Sequence, residues 1–150
     1  MATAKTAKRS YLSPSLTPDR INKNLNAISD LIEKEGVDNF DTIVCIGVSG
    51  MLLAPMLAAK YHKELIVVRK GLEGTHSKCI LESSGKPCHK YIIIDDLMAS
   101  CNTVRNLLKS VSEHKNRRAK CVGIFLYYHV LDEETLYEFE GIPVRSTLIT

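Results

Sequence analysis

The sequence predicts an α/β domain in which a parallel β-sheet is covered by helices on both faces. Three observations carry that prediction. Short β-branched, apolar runs at 42–46, 65–68, 91–94 and 121–126 alternate with segments whose apolar residues recur at helical spacing, the order that right-handed β-α-β crossovers produce. These runs lack the polar alternation of a half-exposed strand, as suits strands buried on both sides. Three of them end against glycine or polar residues, namely Gly47-Val48-Ser49-Gly50, Arg69-Lys70 and Asp95-Asp96, and in an open parallel sheet ligands bind where the carboxyl ends of strands converge. At 150 residues the chain fits one domain, and a domain of that size buries roughly 70% of its unfolded surface without cross-links.

Taken in order, residues 1–12 are rich in Ala, Thr, Lys and Ser and are expected to form a mobile tail, with 13–150 as a single domain. Thr17-Pro18 reads as a helix N-cap followed by proline at the first helical position, and Ile21, Leu25, Ile28, Leu31 and Ile32 keep helical spacing until Gly36. The run 42–46 is a buried strand, 47–50 a tight glycine turn and 51–59 a buried helix. A second strand spans 65–68. Residues 71–90 lose all periodicity, and such a long excursion is expected to be a short flexible lid or hairpin. The third strand, 91–94, precedes a helix that opens near Asn102 or Thr103 and turns Val104, Leu107, Leu108 and Val111 inward. Another strand at 121–126, a short helix capped by Asp132 and running through Phe139, and a final strand at 144–149 complete the chain.

Hydrophobic residues make up 45% and charged residues 25%, which excludes a disordered or fibrous chain. The net charge of +3 arises locally, at Lys5, Lys8 and Arg9 and at Lys115, Arg117, Arg118 and Lys120. These read as a tail and a solvated face, and no nucleic-acid partner is expected. Cysteines 45, 79, 88, 101 and 121 form no CxxC pair and no Cys/His ligand spacing, which argues against structural zinc and for reduced thiols. The first residues lack the apolar core of a signal peptide, and no apolar run approaches the roughly 18 residues of a membrane span. A cytoplasmic protein without membrane contact is expected.

The chemistry concentrates after Ile94. Two adjacent carboxylates, Asp95 and Asp96, leave a buried strand, and Ala99, Ser100 and Cys101 lead to the helix start at Asn102 and Thr103. Small residues let backbone N–H groups approach a phosphate, and the positive end of the helix favours its charge. The carboxylates cannot hold a phosphate themselves, so they face a ribose diol or a hydrated Mg²⁺. On a purely architectural reading the acids end the strand and Ser100 or Asn102 caps the helix. His76 and His89 flank the lid, where histidines are usually solvated, and Cys101 is a candidate reactive thiol at a helix start. Tyr127, Tyr128 and His129 follow a strand at the same edge, placed either to stack on a base or to pack structurally.

The run 92–103 resembles the PRPP-binding motif of type I phosphoribosyltransferases (PRTases): a hydrophobic strand, two acids, two apolar residues and a small-residue phosphate loop. Residues 43–58, with Gly50, Pro55, Leu57 and Ala58, are similar to the strand, pyrophosphate loop and helix of the adenine-type enzymes, and Val67-Val68-Arg69-Lys70 to their Val-Arg-Lys strand end. The resemblance implies a three-layer type I PRTase-like fold with a short flexible lid and a minimal hood. It implies displacement of pyrophosphate at ribose C1 by a nitrogen nucleophile. By the same resemblance, Asp95 and Asp96 engage the ribose 2′ and 3′ hydroxyls and Mg²⁺, while Ala99, Ser100, Cys101, Asn102 and Thr103 hold the 5′-phosphate. Val48, Ser49 and Gly50 offer amides to the pyrophosphate, with Arg69 and Lys70 as cationic support. Proton transfer falls to Glu73, or to Glu82, in the lid. The implied partners are PRPP, a nucleobase-like small molecule and a second copy of the chain.

The sequence departs from that pattern at three positions. Cys101 stands where the loop usually has glycine, Ser49 where adenine-type members have arginine, and Ala99 where hypoxanthine-type members carry an acidic base. A Cβ at position 101 restricts the backbone and crowds an approaching phosphate. Two functions therefore stand: a Mg²⁺-dependent transferase of nucleotide metabolism, such as purine salvage, and a non-catalytic PRPP- or nucleotide-binding regulator that keeps the phosphate site. A third reading, an unrelated doubly wound domain, requires three aligned elements to coincide by accident.

Overall fold

The computed structural model of the chain describes residues 10–70, 80–96, 101–127 and 137–147. Its elements are α1 (Pro18–Glu35), β1 (Thr42–Ile46), α2 (Gly47–Met51), α3 (Ala54–Tyr61), β2 (Glu64–Val68), β3 (Leu81–Glu82), β4 (Lys90–Asp95), α4 (Cys101–His114), β5 (Lys120–Leu126), β6 (Glu138–Phe139) and β7 (Ile142–Ser146). The strands form one sheet in the order β3-β2-β1-β4-β5-β7-β6. The central five are parallel, with Thr42 opposite both Glu64 and Tyr91, Lys90 opposite Lys120, and Ile124 opposite Val144. The two-residue strands β3 and β6 add antiparallel at the two edges.

Local chemistry sets the long helices. Thr17 caps α1, its hydroxyl accepting from the Arg20 N–H at 3.3 Å, and Pro18 occupies the first turn where its missing N–H has no helical acceptor. Val104, Leu107 and Val111 then seat α4 on one face of the sheet against Val44, Ile66, Ile93 and Ile124. On the other face Ile28 and Ile32 of α1 and Leu57 of α3 pack on Ile43, Ile92 and Ile94. Covering both faces removes any polar side from the strands, which is why every residue of β1 is buried. No helix among the described residues is long and apolar enough to cross a membrane.

The sequence expectations are corrected at several elements. The tight turn expected at 47–50 is one turn of helix, α2, which starts directly from β1 at Gly47. The helix expected over 51–59 is split, α2 ending at Met51 and α3 restarting at Ala54, because Pro55 has no N–H to donate back to the preceding turn. Of the lid expected over 71–90, residues 80–90 belong to the framework. Leu81 and Glu82 pair with β2, the Arg69 N–H donates to the Ile80 carbonyl at 2.8 Å, and Cys88 is 1% exposed in the core; residues 71–79 lie outside the described residues. Where a helix is expected through Phe139, the described residues Glu138 and Phe139 form a hairpin strand. Glu140 (φ +49°) and Gly141 (φ +82°) turn it into β7, both with the positive φ that a tight two-residue hairpin needs. Its expected cap, Asp132, lies outside the described residues, and β7 opens at Ile142 rather than Val144.

Candidate functional site

At the carboxyl edge of the sheet, β4 delivers its two acids into a tight polar network. Asp95 and Asp96 are 6% and 7% exposed. One carboxylate oxygen of Asp95, Oδ1, accepts from the Ser49 hydroxyl at 2.9 Å and from the Asp96 backbone N–H at 2.9 Å. Burial, followed by the neighbouring Asp96 carboxyl, raises the Asp95 pKa from 3.8 to about 7. A buried carboxyl with its charge disfavoured this way gains most from a cation or a hydroxyl donor placed beside it.

The glycine turn is fixed against these acids from two sides. Gly50 lies flat on β1, where a Cβ would come 2.6 Å from the Cys45 Cβ and 3.0 Å from the Ile94 carbonyl oxygen. From above, Tyr127, 4% exposed, donates its hydroxyl to the Ser49 carbonyl at 2.6 Å and its N–H to the Asp95 carbonyl at 3.2 Å. Burial, then Asp96 and Asp95, push the Tyr127 phenol well above its usual value, which keeps it a donor. Gly47 takes a left-handed conformation, φ +67°, and the Lys70 side chain lies across it, 3.4 Å from where a Cβ would stand. Arg69 reaches the opposite way, to Glu82 at 3.2 Å.

These residues open on one groove of about 720 Å³. Gly47, Ser49, Arg69, Lys70 and Asp96 supply most of its polar wall, and Tyr11, Leu12, Val48 and Met51 contribute an apolar wall. A smaller cavity of about 200 Å³ lies under α1 toward the other end of the strands, where it holds the Glu35–Arg145 ion pair and Lys90 but none of the predicted site residues. Among the described residues no three His, Cys, Asp or Glu side chains gather into a metal cluster. Two adjacent carboxylates nevertheless fit Mg²⁺, which usually binds one or two of them and completes its shell with phosphate oxygens and water.

Val48, Ser49, Gly50, Arg69, Lys70, Asp95 and Asp96 are thus brought to one edge. Cys101, Asn102 and Thr103 form the first turn of α4, and the half-buried Cys101 packs against the core under that helix. Its side chain has a place in the core. Glu73, His76, Ala99, Ser100, Tyr128 and His129 lie outside the described residues. His89, read as a solvated histidine beside the lid, is exposed and sits just before β4 with its N–H on Asp41. Of the two readings of Tyr127, structural packing is the one the fold supports: it is buried with its hydroxyl committed to the glycine turn. Glu82 is engaged with Arg69 rather than free for proton transfer. Sequence reasoning missed Tyr11 and Leu12, placed in the tail, and the bracing role of Tyr127, whose partner is 78 residues away.

No family model matches the chain. Its sequence is 32% identical over 120 residues to the transcriptional regulator GfcR of Methanocorpusculum labreanum, covering 76% of this chain and 54% of that protein. It is 27% identical over 149 residues to the protein of the same name from Thermoplasma acidophilum, covering 95% of this chain and 71% of that one. The chain therefore spans about half the length of the first of these relatives. In three dimensions it superposes on the orotate phosphoribosyltransferase of Aeropyrum pernix with a TM-score of 0.69, at 13% identity, over 93% of this chain and 77% of that one. On the adenine phosphoribosyltransferase of Saccharomyces cerevisiae the TM-score is 0.63, at 20% identity, over 92% and 84%. These superpositions establish the fold: the chain has the type I phosphoribosyltransferase fold.

Proposed function

We propose that this chain binds PRPP, or a nucleotide sharing its phosphoribosyl chemistry, together with Mg²⁺, and that it works as a ligand-sensing regulator rather than as a transferase. The observation that carries the binding site is the network in which Ser49 and Tyr127 lock the glycine turn onto the Asp95-Asp96 pair, beside Lys70. In this reading Asp95 and Asp96 meet the ribose hydroxyls and share Mg²⁺ with ligand oxygens. The turn at Val48, Ser49 and Gly50, with Arg69 and Lys70, takes the pyrophosphate, and Ala99, Ser100, Cys101, Asn102 and Thr103 the 5′-phosphate. Three features support regulation over catalysis: serine at 49, cysteine at 101, and no acidic base at 99. The relatives named as transcriptional regulators agree with it.

The transferase reading keeps one argument of its own. The acid pair and the adjacent Arg69 and Lys70 are the groups that position and neutralise a departing pyrophosphate, and positioning with charge stabilisation supplies most of the acceleration in such displacements. Calorimetric titration with PRPP and Mg²⁺, run beside a pyrophosphate-release assay over a panel of nucleobases, separates the two. The expected result is PRPP binding, weakened at least tenfold in the double variant Asp95→Asn, Asp96→Asn, with no release. Release that vanishes in the same variant would establish the transferase instead. Absence of binding to PRPP and to nucleotides would remove both readings.

A further inference from the structure

The edge of the sheet opposite the groove is basic, and we propose that it docks the phosphate backbone of duplex DNA. Attachment of a polyanion there goes beyond the ligand reading and needs neither outcome at the groove; only the choice of DNA over an RNA duplex rests on the regulator reading. The starts of β4 and β5 lie at this edge, and the register sets Lys90 directly opposite Lys120. Like charges facing each other across a strand pair repel. Both lysines are exposed, and neither has an ion-pair partner among the described residues.

The turn between α4 and β5 adds Arg117 and Arg118, exposed and equally without an acidic partner among the described residues. That turn is held in one shape. Asn116 donates its side-chain N–H to the Cys88 carbonyl at 2.8 Å and accepts the Arg118 N–H at 3.0 Å, while the Ala119 N–H reaches the Asn116 carbonyl at 3.1 Å. Lys115 extends to Ser83 on the adjoining loop at 3.3 Å. Of the acids on these elements, Glu64 pairs with Lys86 and accepts from Ser84, Glu113 pairs with Lys109 and His114, and Asp41 accepts from the His89 and Lys90 N–H groups and the Thr42 hydroxyl. Lys90, Arg117, Arg118 and Lys120 are left without an ion-pair partner among the described residues, on a preset framework.

Their arrangement selects the partner. The cations spread along two strand starts and a turn instead of converging on a pocket, so they match a row of phosphates better than one small anion. Neutralising such a row releases condensed counterions, which drives binding. Single strands are bound through stacked bases, but the exposed tyrosines among the described residues, Tyr11 and Tyr137, lie at the groove and beside β6. A duplex read through its backbone remains. The sequence expectation of no nucleic-acid partner read the run Lys115, Arg117, Arg118 and Lys120 as a solvated face; the strand register that sets Lys90 beside it comes from the fold.

Fluorescence anisotropy of the full chain with a labelled duplex of random sequence, across a salt series, tests the proposal. Four phosphate contacts predict a log–log salt slope of about −3.6. The double variants Arg117→Gln, Arg118→Gln and Lys90→Gln, Lys120→Gln should each lower DNA affinity at least tenfold and flatten the slope by about two. A control, Lys60→Gln with Lys109→Gln, removes exposed lysines that already have acidic partners and should bind as the parent does. Thermal unfolding checks that each variant stays folded, and PRPP titration of the same samples reads the groove separately. Unchanged DNA affinity in both double variants, no binding at low salt, or tenfold preference for an RNA duplex, a single strand or an acidic protein would overturn the proposal.

Discussion

Asp95 carries a measurable signature of its position. Its pKa in the folded chain is raised from 3.8 to about 7, by burial first and by the Asp96 carboxyl second. Between those values the folded state binds more protons than the unfolded one, so the stability tied to Asp95 is full below about pH 4 and is lost as pH rises through 7. Asp95→Asn keeps an oxygen to accept from Ser49 and from the Asp96 N–H but has no charge to bury. Urea unfolding without divalent ions should therefore find the variant more stable than the parent at pH 8, on the order of 1–3 kcal/mol, with little difference at pH 4. Tyr127→Phe removes the 2.6 Å bond to the Ser49 carbonyl. It should lower stability by about 1 kcal/mol and weaken PRPP binding several-fold; binding as tight as the parent's would mean that the turn needs no brace. The acids were legible in the sequence because they are adjacent and end an apolar run. The Ser49 contact was not, because it joins positions 46 residues apart.

Elements differ in how far local pattern can define them. The helix α1, with its Thr17-Pro18 start and Gly36 stop, and the strands β1, β4 and β5 follow from periodicity and capping, which act over a few residues. The two-residue strands β3 and β6 have no periodicity to read and exist through their pairing with β2 and β7. Packing between elements is similarly specific at Gly50, where α2 touches β1 and β4. Gly50→Ala would drive a methyl to 2.6 Å from the Cys45 Cβ, and the forced shift should destabilise the protein by about 1–3 kcal/mol in urea unfolding. A neutral result would show that α2 can ride outward without loss.

At the scale of the molecule the sheet separates two cores. Leu107 of α4 and Leu57 of α3 are both buried, each within its own cluster on opposite faces. Leu107→Ala and Leu57→Ala should each lower stability by about 2–5 kcal/mol. Their effects should add within about 0.5 kcal/mol in the double variant, since separated sites without shared partners couple weakly. A clearly non-additive double variant in denaturant titration would show that strain passes through the sheet.

The amino-acid order by itself determined the layered α/β architecture, the sheet's buried strands and the position of the acid pair, because apolar periodicity, caps and adjacent charges are properties of neighbouring residues. Only the folded chain decided that Tyr127 braces the glycine turn, that Glu82 answers Arg69, and that Lys90 faces Lys120. Those relations join residues far apart in the chain, and a partner's distance in space leaves no trace in local composition.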